Sequence, residues 1–232
     1  MKKEEFIKLC AKSNLLLSNV QTQQFLDYAK LIKEYNEKIN LTSIVELEEV
    51  LDKHFYDSLL PSFSYDFKGC LCDVGAGAGL PSIPLKIAYP DLEVVIIEPI
   101  LKRVKFLNEV IKILDLKGIK CINARSEDYV KNHRESFDIV SARAVASLDI
   151  LSELCIPLVK KGGIFLAMKG SKADEELVHS KNAYTVLGCE LEKKESSFLN
   201  DKSTRNNLFF RKVKNTPKKY PRGYAQIKKN PL

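Results

Sequence analysis

The chain has 232 residues, 45% of them hydrophobic, and a net charge of +7. This length and apolar share predict one large α/β domain with additions at its ends. No apolar run approaches the length that a membrane helix needs, and the start, Met1 to Glu5, lacks the pattern of a signal peptide. Six scattered cysteines without zinc spacing predict free thiols in the cytoplasm and no metal site.

The first 60 or so residues read as helical. Ser18 and Gln21 form a plausible capping box, and an apolar face at helical spacing follows them. Asn40-Leu41-Thr42 breaks this helix, and a second amphipathic stretch stops at Pro61. We therefore expect an N-terminal helical extension over residues 1–62.

From Cys70 onward, short apolar runs alternate with helical segments. The runs predict strands at 70–74, 94–98, 119–123, 137–142 and 164–168, and the segments between them predict helices at 81–88, 101–115, 148–159 and 173–186. This alternation favours a parallel sheet covered on both faces. Two last strands, at 189–194 and 208–213, have no room for a helix between them. A mostly parallel seven-stranded sheet ending in an antiparallel hairpin is typical of the Rossmann-like class I methyltransferases, and we assign residues 63–214 to such a domain.

The positive charge is concentrated at the C-terminal end. Residues 202–232 contain ten Lys or Arg and no Asp or Glu, so the rest of the chain is slightly acidic. Tyr220 and Tyr224 lie among these charges. The pattern favours a polyanionic partner such as RNA, and a solvated tail is the alternative. We assign residues 215–232 to a basic C-terminal tail.

A glycine-rich run, Asp73-Val74-Gly75-Ala76-Gly77-Ala78-Gly79, follows the first predicted strand and precedes a helix. Such a turn brings backbone N–H groups close to a ligand. Asp73 is placed to reach the ammonium group of S-adenosylmethionine, and Glu98 at the end of the second strand to accept from ribose hydroxyls. The spacing of the glycines favours that cofactor. A dinucleotide-dependent enzyme and a structural α/β domain remain the alternatives.

Two later loops carry further candidates. Ser126-Glu127 follows the third strand, where an adenine would lie, and Arg143 follows the fourth. Arginine stays protonated, so Arg143 is no general base, but it can bind a carboxylate, a phosphate or a base acceptor. A surface ion pair is the alternative for this residue.

The predicted acceptor loop lacks the residues of several methyltransferase types. It has no Pro-Pro-aromatic sequence, and Cys155 lies in a probable helix, where it is no nucleophile. An acceptor that needs no deprotonation, such as guanine N7, is compatible with what remains.

Several short motifs together resemble one family. They are Asn40-Leu41-Thr42, His54 through Leu59, Asp73 through Pro84, Lys102-Arg103-x-x-Phe106-Leu107, Ser141 through Ala146, Lys169-Gly170 and Pro217 through Arg222. The chain closely resembles the RsmG (GidB) family of small-subunit rRNA guanine-N7 methyltransferases. Ala225 and Ile227 depart from the family's usual glycine and proline.

The resemblance implies methylation of a guanine near the decoding region of 16S rRNA, in naked rRNA or in the small ribosomal subunit, without a metal. It also implies contacts to S-adenosylmethionine from Gly75, Leu80, Glu98, Pro99, Ile100, Ser126, Glu127 and Arg143. We further expect a monomer with no membrane partner. A non-catalytic RNA-binding module is the remaining alternative.

Three residues within these motifs, Lys169, His54 and Asp57, are candidates for the acceptor side. Lys169 ends the fifth strand of the parallel series, and with Arg143 it is our candidate catalytic residue, for binding an rRNA phosphate or the target guanine. A solvated lysine is the alternative. His54 and Asp57 are one helical turn apart and within reach of a mutual hydrogen bond. We expect them to pack the N-terminal helices on the sheet, and a contact with RNA is the alternative.

Overall fold

In the computed structural model, which describes residues 1–143 and 146–232, a seven-stranded sheet forms the centre of the protein. The strand order is β3-β2-β1-β4-β5-β7-β6. The strands are β1 Cys70–Val74, β2 Glu93–Ile97, β3 Ile119–Ile122, β4 Phe137–Arg143, β5 Val159–Lys169, β6 Cys189–Phe198 and β7 Thr204–Lys212. The first five are parallel, and β7 pairs antiparallel with both β5 and β6, as predicted.

The chain reverses direction across the sheet between β1 and β4. From β1 it moves outward through β2 and β3, and then returns to place β4 on the other side of β1. In open α/β sheets, ligands bind at the carboxyl ends of strands at such a point. The ends of β1 and β4, at Val74 and Arg143, are therefore where a ligand is expected.

Helices cover both faces of the sheet. They are α1 Lys3–Lys12, α2 Asn19–Ile39, α3 Leu47–Glu49, α4 Asp57–Leu59, α5 Ser82–Ala88, α6 Leu101–Ile113, α7 Ser126–His133, α8 Leu148–Cys155, α9 Ala173–His179, α10 Lys181–Val186 and α11 Tyr224–Lys229. One core cluster joins α1, α2, α5 and α6 to one face, and the other joins α8, α10 and α11 to the opposite face. None of these helices has the length and apolar character that crossing a membrane requires.

The N-terminal extension packs as part of the main core. The Ser18 cap is formed as predicted, with the Gln21 N–H donating to the serine hydroxyl at 3.2 Å. Between α3 and α4 the helix changes to a π-helix over Val50–Tyr56, and a 3-10 turn, Leu60–Phe63, ends the extension. Where α2 meets this π-helix, the Tyr28 ring stacks on Phe55, and the Phe25 ring packs against Phe55 at a tilt of 46°. Packing thus crosses the expected boundary at residue 62, which stays a prediction.

Three sequence predictions need correction. The single helix predicted at 173–186 is two helices, α9 and α10, which meet at Ser180. Helix α7 was not predicted, because its sequence is polar and buries only Ser126 and Val130. The predicted helix at 148–159 ends at Cys155, since Pro157 lies in a 3-10 turn and β5 already begins at Val159. Cys155 is buried in α8, as expected.

The basic C-terminal end is folded against the domain. Ile227 of α11 is fully buried, and Tyr220 is nearly so. Arg222 forms a bidentate ion pair with the buried Glu153 of α8, with its Nη2 2.6 Å from Oε2. The alternative of a wholly solvated tail is therefore wrong, although many of its lysines are exposed.

Candidate active site

The glycine run forms a tight loop after β1. The Gly75 N–H donates to the Ile97 carbonyl at 2.8 Å, which holds the start of the loop against β2. Gly79 has a φ of +92°, and a Cβ there would lie 2.5 Å from Ile83 Cδ1 and 2.8 Å from the Tyr28 hydroxyl. Gly77 also has a positive φ, of +60°, but a Cβ there would meet nothing within 4 Å. Packing thus requires glycine at 79, whereas Gly77 leaves open space beside the loop.

That open space belongs to a cavity of about 350 Å³, here called the glycine-loop cavity. Its lining residues come from the loop, the end of β2, the start of α6, the extension and β4: Leu41, Thr42, His54, Gly75, Ala76, Gly77, Ala78, Leu80, Glu98, Pro99, Ile100, Arg103 and Arg143. The sequence-predicted residues Gly75, Gly77, Leu80, Glu98, Pro99, Ile100 and Arg143 are therefore brought together.

Glu98 provides the carboxylate of this cavity. Its Oε2 accepts from the Gly77 N–H at 3.1 Å and its Oε1 from the Ile100 N–H at 3.0 Å. Arg103 Nη1 lies 3.9 Å from Oε2. Each carboxylate oxygen has further lone pairs, so Glu98 can accept from two neighbouring hydroxyl groups. The two backbone contacts fix its orientation and thereby suit it to a ribose.

Asp73 lies behind the loop. Its Oδ2 accepts from the Ser82 N–H at 3.2 Å and its Oδ1 from the Ser141 hydroxyl at 3.0 Å, so it joins β1 to α5 and β4. Burial raises the pKa of Asp73 to about 7. Asp73 is not among the described residues that line the cavity, and its contact with a cofactor ammonium group stays a prediction.

Ser126 and Glu127 line a neighbouring side pocket of about 180 Å³. This side pocket shares Gly75 and Pro99 with the glycine-loop cavity. The Ser126 hydroxyl donates to the Leu154 carbonyl at 2.5 Å, which holds the start of α7 against α8. Tyr224 of the C-terminal helix forms another wall of the side pocket. The pocket is placed to extend the glycine-loop cavity toward an adenine.

Arg143 lies between the glycine-loop cavity and a third space, described below as the arginine cavity. Its Nη1 donates to the Asp57 Oδ2 at 3.0 Å and lies 3.4 Å from the Lys53 carbonyl. The His54 ring lies on the same side, with its Nδ1 3.4 Å from Arg143 Nη2 and its Nε2 2.9 Å from the Thr42 hydroxyl. Burial and the Arg143 charge lower the pKa of His54 to about 4, so the imidazole is neutral at pH 7.

The third space, the arginine cavity, has a volume of about 280 Å³. It is lined by Ile44, Lys53, His54, Asp57, Arg143, Met168, Lys169, Gly170, Arg205 and Asn207. It shares His54 and Arg143 with the glycine-loop cavity, so the two meet at these side chains. A cavity with four cationic side chains suits a nucleotide with its phosphate.

Lys169 lies in this cavity but already has partners. Its Nζ donates to the Ala146 carbonyl at 2.7 Å and lies 2.7 Å from Glu176 Oε2, and the side chain is 6% exposed. Its predicted contact with RNA stays a prediction. The neighbouring residues Ala144 and Val145, quoted above for the resemblance, lie outside the described residues.

Sequence reasoning did not assign several lining residues to the site. Leu41, Thr42 and Arg103 belong to motifs that were noted for the resemblance alone, and Arg205 was counted only as part of the basic segment. His54 and Asp57 were noted as a pair, but Arg143 bridges them. Over residues 1–143 and 146–232, no group of three or more His, Cys, Asp or Glu side chains is placed to hold a metal ion.

Comparison of the fold with solved structures finds methyltransferases. M. jannaschii TYW2 in complex with AdoMet matches with a TM-score of 0.55 and 18% identity, over 69% of this chain and 76% of that one. The 16S rRNA (adenine(1408)-N(1))-methyltransferase of Catenulisporales acidiphilia matches with a TM-score of 0.53 and 14% identity, over 68% and 91%. At these identities the likeness establishes the class I methyltransferase fold.

Sequence comparison is more specific. The ribosomal RNA small subunit methyltransferase G of Bacillus pumilus is 50% identical over 99% of this chain and 98% of its own. Its counterpart from Staphylococcus epidermidis is 49% identical over 96% and 95%. The model of the GidB family, rRNA small subunit methyltransferase G, matches residues 21–206. With the glycine loop, Glu98 and Arg143 in one place, these matches show that the chain belongs to the GidB family of rRNA small subunit methyltransferases G.

Proposed function

We propose that this chain transfers a methyl group from S-adenosylmethionine to N7 of a guanine in 16S rRNA, near the decoding region. The observation that carries the proposal is the meeting of two cavities at Arg143 and His54. One has the loop and carboxylate that suit a nucleoside cofactor, and the other has the cationic walls that suit a nucleotide of RNA. A methyl donor and its acceptor need this arrangement, because the transfer is direct and in line.

S-adenosylmethionine supplies a methyl group bound to a positively charged sulfur. In the transfer the carbon–sulfur bond breaks, the carbon–N7 bond forms, and the positive charge passes to the purine. Guanine N7 has a free lone pair, so no proton has to be removed. Arg143 is always protonated, and the His54 pKa of about 4 keeps its ring neutral. The acceptor side thus binds and orients a base that is already nucleophilic.

Binding to rRNA is supported by the basic segment, residues 202–232. Four of its ten cations have carboxylate partners within the protein: Arg205, Arg211, Lys212 and Arg222. The six exposed lysines are Lys202, Lys214, Lys218, Lys219, Lys228 and Lys229. Exposed lysines of this kind supply salt-dependent contacts with phosphates. We propose that these six, rather than the whole segment, attract the RNA.

Two further assignments accompany the function. The substrate is part of the small ribosomal subunit or its rRNA, and we propose that the enzyme works in the cytoplasm. We also propose that it works as a monomer.

The test uses purified protein and labelled S-adenosylmethionine with small subunits, and separately with naked 16S rRNA, from cells that lack this gene. N7-methylguanine sites are mapped by strand cleavage at the modified base. We expect one new site near the decoding region. Cofactor binding without methylation of either substrate would instead indicate a non-catalytic RNA-binding module. Absence of cofactor binding would overturn the assignment of the glycine-loop cavity.

A further inference from the structure

The two carboxylate oxygens of Asp57 differ: among the described residues, Oδ2 has hydrogen-bond and ion-pair partners and Oδ1 has none. Its Oδ2 accepts from Arg143 Nη1 at 3.0 Å and forms an ion pair with Arg205, whose Nε lies 3.2 Å away. Its Oδ1 is buried and has no hydrogen-bond partner among the described residues. The residue is 4% exposed and lines the arginine cavity. A buried carboxylate oxygen without a donor is costly, so a ligand that brings an N–H group to it is favoured.

The backbone and Arg143 hold this carboxylate at the wall of the cavity. The π-helix Val50–Tyr56 leads directly into Asp57, and the carbonyl groups of Lys53 and His54 lie within 3.5 Å of Arg143 Nη1. π-Helical turns are rare and occur frequently at functional sites. Arg143 and Asp57 therefore present a fixed donor beside a fixed acceptor.

Guanine has the complementary pair of groups. Its O6 accepts a hydrogen bond and the adjacent N1–H donates one. Adenine presents the reverse, an amino donor beside an unprotonated N1. We propose that Asp57 determines base specificity by accepting from N1–H of the target guanine through its Oδ1, while Arg143 donates to O6. This inference rests on the proposed function and identifies the side chains that distinguish guanine from adenine.

The same contact assists the transfer. When N7 gains a methyl group the purine becomes positively charged, and its N1–H becomes a stronger donor. The carboxylate of Asp57 thus interacts more strongly with the product-like base than with the neutral one. An interaction that strengthens toward the transition state raises the rate as well as the affinity.

The test compares two RNA substrates that differ only at the target base. One contains guanine, and the other contains 2-aminopurine, which keeps N7 and the 2-amino group but lacks O6 and has an unprotonated N1. Loss of one such base contact changes discrimination by about tenfold or more. We expect Asp57→Asn to lower the ratio of kcat/KM for guanine over 2-aminopurine by at least about tenfold. A third substrate, 1-methylguanine, keeps N7, O6 and the 2-amino group but lacks the N1–H donor. If Asp57 only held Arg143 in place, Asp57→Asn would leave the ratio of kcat/KM for guanine over 1-methylguanine unchanged, whereas a direct contact with N1–H lowers that ratio as well.

Asp52 offers a matched control. It lies on the π-helix that leads into Asp57, is also 4% exposed and also has an Oδ1 without a partner among the described residues, but it is not among the described residues that line the arginine cavity. Asp52→Asn makes the same chemical change outside the cavity. We expect it to leave the guanine to 2-aminopurine ratio within about twofold of the wild-type ratio, since it removes no base contact. A ratio lowered as much as in Asp57→Asn would contradict the proposal.

A second measurement needs no variant, in case Asp57→Asn does not fold. RNA with inosine at the target keeps N7, O6 and N1–H and lacks only the 2-amino group. We expect the wild type to methylate inosine within about tenfold of guanine, and 2-aminopurine far more slowly. The opposite order would overturn the role of Asp57. Failure to methylate guanine itself would overturn the proposed function, and the role of Asp57 with it.

Discussion

The Arg143 guanidinium lies 3.0 Å from the Asp57 carboxylate and joins the end of β4 to the N-terminal extension. Arg143 comes from the sheet that forms the glycine-loop cavity, and Asp57 from helices that pack on it. The arginine cavity therefore exists only when the extension is docked. The N-terminal extension is therefore part of the candidate site.

Alanine substitutions at Gly77 and Gly79 should have different effects on stability and cofactor binding. Gly79→Ala places a Cβ against Ile83 and Tyr28 at positive φ, so we expect a loss of about 2–4 kcal/mol in the free energy of unfolding. Gly77→Ala meets no crowding, so we expect a loss of only about 1 kcal/mol. Because Gly77 lines the cavity, its variant should bind S-adenosylmethionine about tenfold more weakly, a loss of roughly 1.4 kcal/mol. Urea unfolding and titration calorimetry measure the two quantities, and equal effects on stability would contradict the assignment.

Asp73 gives a pH dependence with a definite sign. Burial raises its folded pKa to about 7, so between pH 5 and 7 the folded state keeps a proton that the unfolded state has released. The contribution of Asp73 to stability therefore falls as the pH rises through this range. Asp73→Asn removes that loss, and the variant should gain about 2–3 kcal/mol relative to the wild type between pH 5 and pH 8.

The experiment is urea unfolding of both proteins, without cofactor, at the two pH values. The pKa of His54 is lowered to about 4, so its contribution to stability rises with pH between about 4 and 6.5. Since His54 is present in both proteins, its contribution cancels in the difference. A stability difference that is the same at pH 5 and pH 8 would show that Asp73 is already ionised at pH 5.

The exposed lysines of the basic segment should control RNA affinity. We expect replacement by glutamine at four positions to weaken binding and to lower the slope of log K against log salt by up to about 0.9 for each lost phosphate contact. The four positions are Lys218, Lys219, Lys228 and Lys229.

The matched control replaces four exposed lysines on the helices that pack against the opposite face of the sheet. They are Lys8, Lys30, Lys105 and Lys112. The same loss of charge there should leave the salt slope nearly unchanged. Filter binding or fluorescence anisotropy with 16S rRNA, from 50 to 300 mM salt, distinguishes the two sets. Equal slopes for both quadruple variants would mean that net charge alone attracts the RNA.

The ion pair between Arg222 and Glu153 should anchor the C-terminal helix. Glu153 is fully buried and accepts from the Arg222 Nε at 2.9 Å and from its backbone N–H at 2.8 Å. Arg222→Met leaves this carboxylate without its guanidinium, so we expect a loss of about 3–5 kcal/mol. Because Tyr224 lines the side pocket, S-adenosylmethionine should also bind more weakly.

The double variant Arg222→Met/Glu153→Met provides the control, since it removes the buried charge as well. We expect it to recover at least half of the stability that the single variant loses. Thermal and urea unfolding of the wild type, the two single variants and the double variant give a double-mutant cycle, which measures the interaction energy of the pair. Additive losses would show that the two side chains do not interact.

The sheet could be predicted because the signals for its strands and turns lie in short stretches of adjacent residues. Apolar runs such as Val94–Ile97, and the glycines after β1, carry their signal in a few adjacent residues. The polar helix α7 carried no such signal. Asp73 shows the limit at one position. Its place before the glycines suggested a ligand contact, which stays a prediction, but no local pattern indicated that its side chain also accepts from Ser82 and Ser141.

The acceptor side could be predicted only in part. Arg143 was found from its place after β4, but its partner Asp57 is 86 positions away in the chain, and Arg205, which pairs with the same carboxylate, is 62 positions away. Their meeting depends on how the extension docks and how β7 pairs with β5, and neither relation appears in a local pattern. The family motifs noted Asp57 without giving its task. The ion pair with Arg143 and the place of Asp57 in the arginine cavity support the role proposed above.

The π-helix has a consequence for how this site can be altered. It carries hydrogen bonds between residues five apart, where an α-helix has them four apart, so the stretch holds a surplus residue. Deleting a single codon between Val50 and Tyr56 would restore α-helical spacing and turn the preceding helix by about 100° relative to Asp57. The buried residues Val50 and Phe55 could then no longer both keep their places while Asp57 faces Arg143. A single inserted codon is thus enough to turn a helix that packs on the sheet so that its end also lines the arginine cavity.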